Sequence, residues 1–239
     1  MSSSQADEAN SVIEKVCVSR GADLIRVGRD VTFRSLGFGL DRQSLQVQGR
    51  LGNYELSIPL LGQYQLDNAS TAVAALEVLV EKGFNISTES IVNGLANVSW
   101  EGRLQVINRH PLVVVDGAHN IDSAQKLMQA LKHYFSFERA ILIIGLSLDK
   151  DVAGIVSELV PFFDKVIVTR SIHPRAMATS PIAAEFKRSG VEARETDDIS
   201  LALPLALEMA GDNDIICVTG SLFVAAGAIE QAKALSLSA

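Results

Sequence analysis

A chain of 239 residues and 25.6 kDa has room for one large domain or two modest ones. Its 48% hydrophobic and 21% charged residues exclude extensive disorder, and no apolar stretch approaches the ~18 residues of a membrane span. A formal charge of −7 argues against a basic nucleic-acid face but not against an anion held in a local pocket.

Two cysteines, Cys17 and Cys217, make neither a disulfide framework nor a zinc site, which points to a reducing cytosol. Residues 1–8 have no basic start and no apolar run, so no signal peptide is expected and the protein is expected to be cytoplasmic.

Two textures meet near Trp100, and domains are expected over 1–99 and 100–239. In the first, short alternating runs predict strands at Asp23–Val27, Ser44–Gln48 and Tyr54–Ile58, separated by turn signals at Gly28, Gly37, Gly39 and Gly52-Asn53. A helix capped by Asp67 follows, with Ala69, Ala72, Val73, Leu76 and Val80 on one face and Gly83 as a stop. A second helix begins at Ser87 and carries Ile91 and Leu95. No internal repeat or low-complexity segment is present.

From Arg103 the pattern becomes regular. A strand at Leu104–Ile107 turns through Arg109-His110-Pro111 into a strand at Leu112–Val115. Helices with Ala124 to Leu131, Val152 to Phe163, Pro181 to Arg188, Leu201 to Met209 and Leu222 to Leu235 then alternate with strands. Those strands are Ala140–Ile144, Val166–Thr169, Val191–Arg194 and Ile215–Val218. Continuous β-branched runs between amphipathic helices predict an α/β fold: a mostly parallel sheet with one antiparallel edge strand, covered by helices on both faces.

Ligands in such sheets bind at the carboxyl ends of the strands. Those ends carry Asp116-Gly117-Ala118-His119-Asn120, Gly145-Leu146-Ser147 running on to Asp149-Lys150-Asp151, Arg170 to Arg175 with His173 between, and Thr219-Gly220-Ser221. Gly117 and Ala118 allow a ligand close to the backbone, and the helix starts beside these loops favour negative groups. Simple capping by Asn120, Asp122, Asp151 or Ser221 accounts for the same residues without any ligand. Arg103, by itself, reads as a solvated surface residue, Cys217 as core, and His110 and His133 as surface. No Gly-x-x-x-x-Gly-Lys-Ser/Thr occurs, so there is no P-loop, and Gly37-Phe38-Gly39 lacks the third glycine of a dinucleotide fingerprint.

Taken in order, six segments resemble one family. They are Leu61-Gly62-Gln63-Tyr64-Gln65-Leu66-Asp67-Asn68, Trp100-Glu101-Gly102-Arg103-Leu104-Gln105, Asp116 to Asn120, Asp149-Lys150-Asp151, Pro174-Arg175-Ala176 and Thr219-Gly220-Ser221. The series is similar to the latter half of folylpolyglutamate synthases and dihydrofolate synthases, of the Mur ligase superfamily, and covers essentially the whole chain. One departure is Tyr64, where the family often has His. The resemblance implies that 1–99 is the last portion of a central ATPase domain and 100–239 the Rossmann-like C-terminal domain. It also implies that the chain is a fragment, inactive alone, without the P-loop, the magnesium ligands or the carbamylated lysine of its family.

The implied activity is an ATP-dependent ligase that adds L-glutamate to the γ-carboxyl of folate, or to dihydropteroate, through an acyl phosphate. A muramyl-peptide ligase or a non-catalytic nucleotide- or amino-acid-binding module are the alternatives. ATP and magnesium are the implied cofactors, the magnesium held by the upstream part. The implied partners are glutamate, a reduced folate or dihydropteroate, and that upstream domain, with neither nucleic acid nor membrane. Carried over residue by residue, Asn68, Arg103 and Asp116 match nucleotide-contacting positions. His119 and Ser221 match positions on the glutamate side, and Arg175 resembles the arginine that holds the incoming amino acid's carboxylate. His119 is the candidate catalytic residue, with binding preferred over general-base work, and Lys150 and Asn120 are further candidates.

Overall fold

In the computed structural model, which describes residues 1–237, the first element is a helix over Asp7–Arg20 (α1). Asp7 and Glu8 sit at its start and Arg20 in its last turn, each favourable to the helix dipole, and Gly21 ends it at φ 61°. None of its residues is buried. It therefore lacks an apolar stripe, the signal by which a helix is found in a sequence.

Three strands follow, Thr32–Phe38 (β1), Gln43–Gln48 (β2) and Asn53–Ile58 (β3), paired antiparallel in that order. The strand expected at Asp23–Val27 is not formed; that stretch contributes isolated bridges, Ser2 with Arg26 and Val27 with Val31. The actual first strand, β1, holds Gly37 inside it at a register shift that absorbs the break. Two helices complete this unit, Gln63–Glu81 (α2) and Thr88–Ala96 (α3, capped by the Ser87 hydroxyl). Asp67 does not cap α2. The helix starts four residues earlier, after Gly62, because buried Gln43 of β2 donates its side-chain amide to the Leu60 and Gly62 carbonyls at 2.6 and 2.9 Å. Leu45, Val47, Leu56 and Ile58 pack against Leu66, Val73 and Ile91 in one apolar core.

Inside that core lies a carboxylate. Glu77 of α2 is fully buried and accepts the main-chain N–H groups of Arg50 and Leu51 at 2.8 and 2.9 Å and the Tyr54 hydroxyl at 3.0 Å. It pins the β2–β3 hairpin to the helix. Burial, with the Glu77 hydrogen bond adding to it, pushes the Tyr54 phenol up to about 12.

Residues from Trp100 onward form a second compact unit. Its strands are Gln105–Arg109 (β4), Leu112–Val115 (β5), Ala140–Ile144 (β6), Lys165–Val168 (β7), Ala193–Glu195 (β8) and Ile215–Thr219 (β9). They lie in the order β4-β5-β9-β6-β7-β8, with β4 antiparallel to β5 and the other pairs parallel. The helices are Ile121–Tyr134 (α4), Val152–Leu159 (α5), Thr179–Arg188 (α6), Ile199–Met209 (α7) and Leu222–Ala234 (α8).

Val113, Val115, Ile141, Ile143, Ile216 and Val218 pack with Ala202, Leu203, Ala225 and Ala228 of α7 and α8. Alternation sends Val114, Leu142, Ile144 and Cys217 to the other face, and all four are fully buried. Both faces are thus covered, as the continuous β-branched runs predict. No helix among the described residues is long and apolar enough to cross a membrane.

Candidate active site at the strand ends

Asp116 follows the last residue of β5 and is 5% exposed. One carboxylate oxygen accepts the Leu104 N–H at 2.8 Å and the other accepts the Ala118 N–H at 2.8 Å. Between these bonds the Gly117 N–H donates to the Gly102 carbonyl at 2.9 Å. Leu104 is held at φ 44°, a left-handed conformation that costs a branched side chain about 1–3 kcal/mol unless its surroundings impose it. The carboxylate supplies that constraint. Asp116 therefore directs both of these hydrogen bonds to the backbone.

Arg103 lies in the segment that Asp116 holds. It is half-buried, and among the described residues its guanidinium has no hydrogen-bond or ion-pair partner. A guanidinium fixed by its backbone and left without a carboxylate is suited to an anion from outside.

His119 comes three residues after Asp116, half-buried, with Nδ1 2.8 Å from the Gly117 carbonyl oxygen. A carbonyl can only accept, so the neutral ring donates its Nδ1–H there and presents a bare Nε2. Asn120 is the N-cap of α4. Its Oδ1 accepts the Ser123 N–H at 2.8 Å while the Ser123 hydroxyl receives the Asn120 N–H at 3.0 Å. The exposed Asn120 side chain is thus accounted for by capping.

The first turn of α8 is where the loops meet. Ser221, 7% exposed, caps that helix by accepting the Val224 N–H at 3.1 Å, which leaves its own O–H free to donate elsewhere. The Gly220 N–H donates to the Ala118 carbonyl at 2.9 Å, joining the β9 end to the His119 loop. Gly220 has φ 101°, and a Cβ on it would sit 2.6 Å from the Gly145 carbonyl oxygen after β6. A Cβ on Gly117 would collide with the Leu222 side chain. Only glycine permits backbones this close.

The loop after β7 joins the same place. Leu148 donates its N–H to the Arg175 carbonyl at 2.9 Å, and Met177 donates to Leu146 at 2.9 Å. Arg175 is exposed and no hydrogen bond holds its side chain among the described residues. Lys150 is paired with Asp149 at 2.8 Å. This bond, with Arg175 adding its charge, holds the Asp149 carboxyl below its ordinary value. Asp151 caps α5 through the Gly154 N–H at 3.0 Å. Asp116, His119, Arg175 and Ser221 therefore lie on loops that bond to or pack on one another, while Lys150 and Asn120 have structural partners.

Asn68 belongs to the first unit, on the exposed side of α2, where its amide donates to Gln65 at 2.9 Å. Among the described residues no three His, Cys, Asp or Glu side chains are grouped to hold a metal ion. Cys217 is no nucleophile: complete burial pushes its thiol well up, and the Asp116 charge adds to this. His173, in the loop after β7, and Phe223, in the first turn of α8, are adjacent in space, and a stacking pair so far apart along the chain leaves no local pattern in the sequence.

Residues 102–222 match the family model described as "Mur ligase, glutamate ligase domain". The chain is similar to a dihydrofolate synthase/folylpolyglutamate synthase of Mycobacterium tuberculosis, 34% identical over 204 residues that cover 78% of this chain and 42% of that relative. It is also similar to a solved structure of M. tuberculosis folylpolyglutamate synthase complexed with ADP. There the TM-score is 0.85 at 29% identity, over 96% of this chain and 54% of that one. A bifunctional folylpolyglutamate synthase/dihydrofolate synthase solved with Mn, AMPPNP and L-glutamate bound gives a TM-score of 0.75 at 27% identity, over 95% of this chain and 51% of that one. The chain spans about half the length of the relatives it matches.

Proposed function

The chain belongs to the Mur ligase family, and from that premise we propose that it is the C-terminal half of an ATP-dependent folate–glutamate ligase. The complete enzyme joins L-glutamate to the γ-carboxyl of a reduced folate, or to dihydropteroate, in the cytoplasm. ATP first activates the carboxyl as an acyl phosphate; the glutamate amine then attacks and phosphate leaves. Residues 1–99 are read as the end of the central ATPase domain, and the P-loop and magnesium ligands as belonging to the part upstream.

The observation that carries this reading is the meeting of four strand-end loops at the first turn of α8, with two cationic side chains, Arg103 and Arg175, that no carboxylate bonds among the described residues. Arg103 is assigned to the phosphates, where a fixed guanidinium offsets charge as it develops. Asn68 is assigned to the nucleotide as an exposed amide, and Asp116 chiefly as the residue that fixes the Arg103 backbone.

Arg175 is assigned to a glutamate carboxylate through its planar fork. The Ser221 O–H donates to the same substrate. His119, with Nε2 bare, accepts a hydrogen bond from the glutamate amine and holds it in its attacking, uncharged form. Positioning of this kind suffices, because an acyl phosphate is already activated.

The test is to assay the chain alone and joined to its upstream half. The joined enzyme is expected to form folate–glutamate amide with ATP and glutamate. The chain alone is expected to release no phosphate from ATP, since it has no P-loop. Folate-dependent phosphate release by the pure chain, or no amide from the joined enzyme, would overturn the reading.

A further inference from the structure

His173 stands in the loop after β7 and has no part in the chemistry assigned so far. Its ring stacks on Phe223, in the first turn of α8, with centroids 3.9 Å apart and planes 17° apart. Its Nδ1 accepts the main-chain N–H of Arg175 at 3.1 Å. An N–H can only donate, so neutral His173 keeps its proton on Nε2, the opposite tautomer to His119. The segment His173-Pro174-Arg175-Ala176 is a turn closed by the Ala176 N–H on the His173 carbonyl at 2.8 Å, with proline at the position that suits its fixed φ. Its neighbour Ile172 is fully exposed, so this apolar side chain does not anchor the loop tip.

We propose that His173 is a positioning residue of the amino-acid site: through its stack on Phe223 and its bond to the Arg175 N–H, it fixes the Arg175 backbone beside the Ser221 cap. The proposal rests on the reading of Arg175 as the carboxylate ligand and adds the device that aims it. An exposed arginine carries large rotamer freedom, and a substrate that must first order the loop is bound more weakly. The imidazole removes that ordering step. It does so from two sides, because the ring plane meets an aromatic face while an in-plane nitrogen holds the backbone. His173 touches no reacting atom in this scheme, so its effect belongs on glutamate affinity rather than on the chemical step.

The experiment uses the complete ligase with glutamate as the varied substrate. His173→Ala is expected to raise the glutamate KM roughly tenfold, from a lost hydrogen bond and a lost aromatic contact, with kcat and the ATP KM within twofold. His173→Asn, whose amide oxygen can accept the same N–H, is expected to recover most of that loss, and Phe223→Leu to reproduce part of it. In the wild-type protein, 15N NMR is expected to find the His173 proton on Nε2.

A glutamate KM within twofold for His173→Ala, while Arg175→Ala raises it strongly, would overturn the positioning role and leave the Arg175 reading intact. No effect from Arg175→Ala would overturn the reading on which the proposal stands. An equal rise in the ATP and glutamate KM, or an Nδ1-protonated His173, would also overturn it.

Discussion

Glu77 in the first unit and Asp116 in the second are both buried carboxylates that accept backbone amides, and the two do different work. Glu77 is buried in the first unit, where it accepts the Arg50 and Leu51 N–H groups and the Tyr54 hydroxyl. Asp116 makes the same kind of bonds at the end of β5, but its donors belong to the Arg103 and His119 loops. The first carboxylate fixes a hairpin against a helix. The second fixes the two loops that carry the half-buried Arg103 and His119. What separates a structural carboxylate from a functional one here is what its partners carry, since burial and hydrogen bonding are nearly equal.

That comparison can be broken most directly at Glu77. Glu77→Ala strands the buried Tyr54 hydroxyl, at about 1–3 kcal/mol, and removes two part-buried bonds from the hairpin, at about 0.5–1.5 kcal/mol each, so a loss of at least ~2 kcal/mol is expected in urea unfolding of the first unit. Asp116→Asn should cost less stability, about 1–2 kcal/mol, because one acceptor oxygen survives. In the complete ligase the same substitution should degrade both ATP and glutamate saturation, since both loops lose their clasp. An effect confined to ATP would return Asp116 to the role of a direct nucleotide ligand.

Next in size are the cations. Arg103→Ala should cost about 1.5–3 kcal/mol in kcat/KM for ATP, the worth of a charge-assisted contact, and leave glutamate saturation nearly unchanged. Arg175→Ala and His119→Ala should do the reverse, raising the glutamate KM and sparing ATP parameters. Steady-state kinetics with each substrate varied separates the two patterns. If Arg103→Ala leaves both ATP constants within twofold, its assignment to the phosphates fails.

The smallest effect concerns Tyr54. Its phenol is raised in the folded chain to about 12, above the ordinary tyrosine value near 10, so the folded state binds the proton more tightly. The stability this gives is fully present below pH ~10 and is lost as pH rises through about 12. Tyr54→Phe should remove that alkaline loss while lowering stability modestly at neutral pH. Chemical denaturation at pH 8, 10 and 11.5 would show it; parallel curves for the two proteins would count against the Glu77–Tyr54 bond.

The second unit was far more legible in the sequence than the first. Ile141 to Ile144 and Ile215 to Val218 are buried on both sides and read as parallel strands from their uninterrupted apolar run, and Ser221 could be placed as a cap from its position before Leu222. In the first unit α1 buries nothing, and β1 has no apolar alternation because its outer half is exposed, so neither leaves a periodic trace. The start of α2 leaves no local pattern in the sequence, because buried Gln43 of β2 bonds the carbonyls just before it. In the site, residue types and order pointed to Asp116, His119, Arg175 and Ser221. What they could not convey was which side chain already has a partner. Asn120 and Lys150 are occupied locally, and the His173–Phe223 stack joins a loop to a helix 50 positions further on, from 173 to 223.

The strand order has a consequence for how this unit is made. β9 lies inside the sheet, between β5 and β6, yet it is the last of that sheet's described strands in chain order. Until it emerges, β4–β5 and β6–β7–β8 are two separate ribbons, each offering an open edge of unpaired amides and carbonyls. The helix that follows β9 brings the turn on which the site loops converge, so sheet closure and site formation are one late event. A nascent chain halted before residue 215 would lack the central strand of its sheet and, with α8, the side chains of Ile216, Val218, Val224, Ala225 and Ala228 from its core, a state exposed to edge pairing with its neighbours.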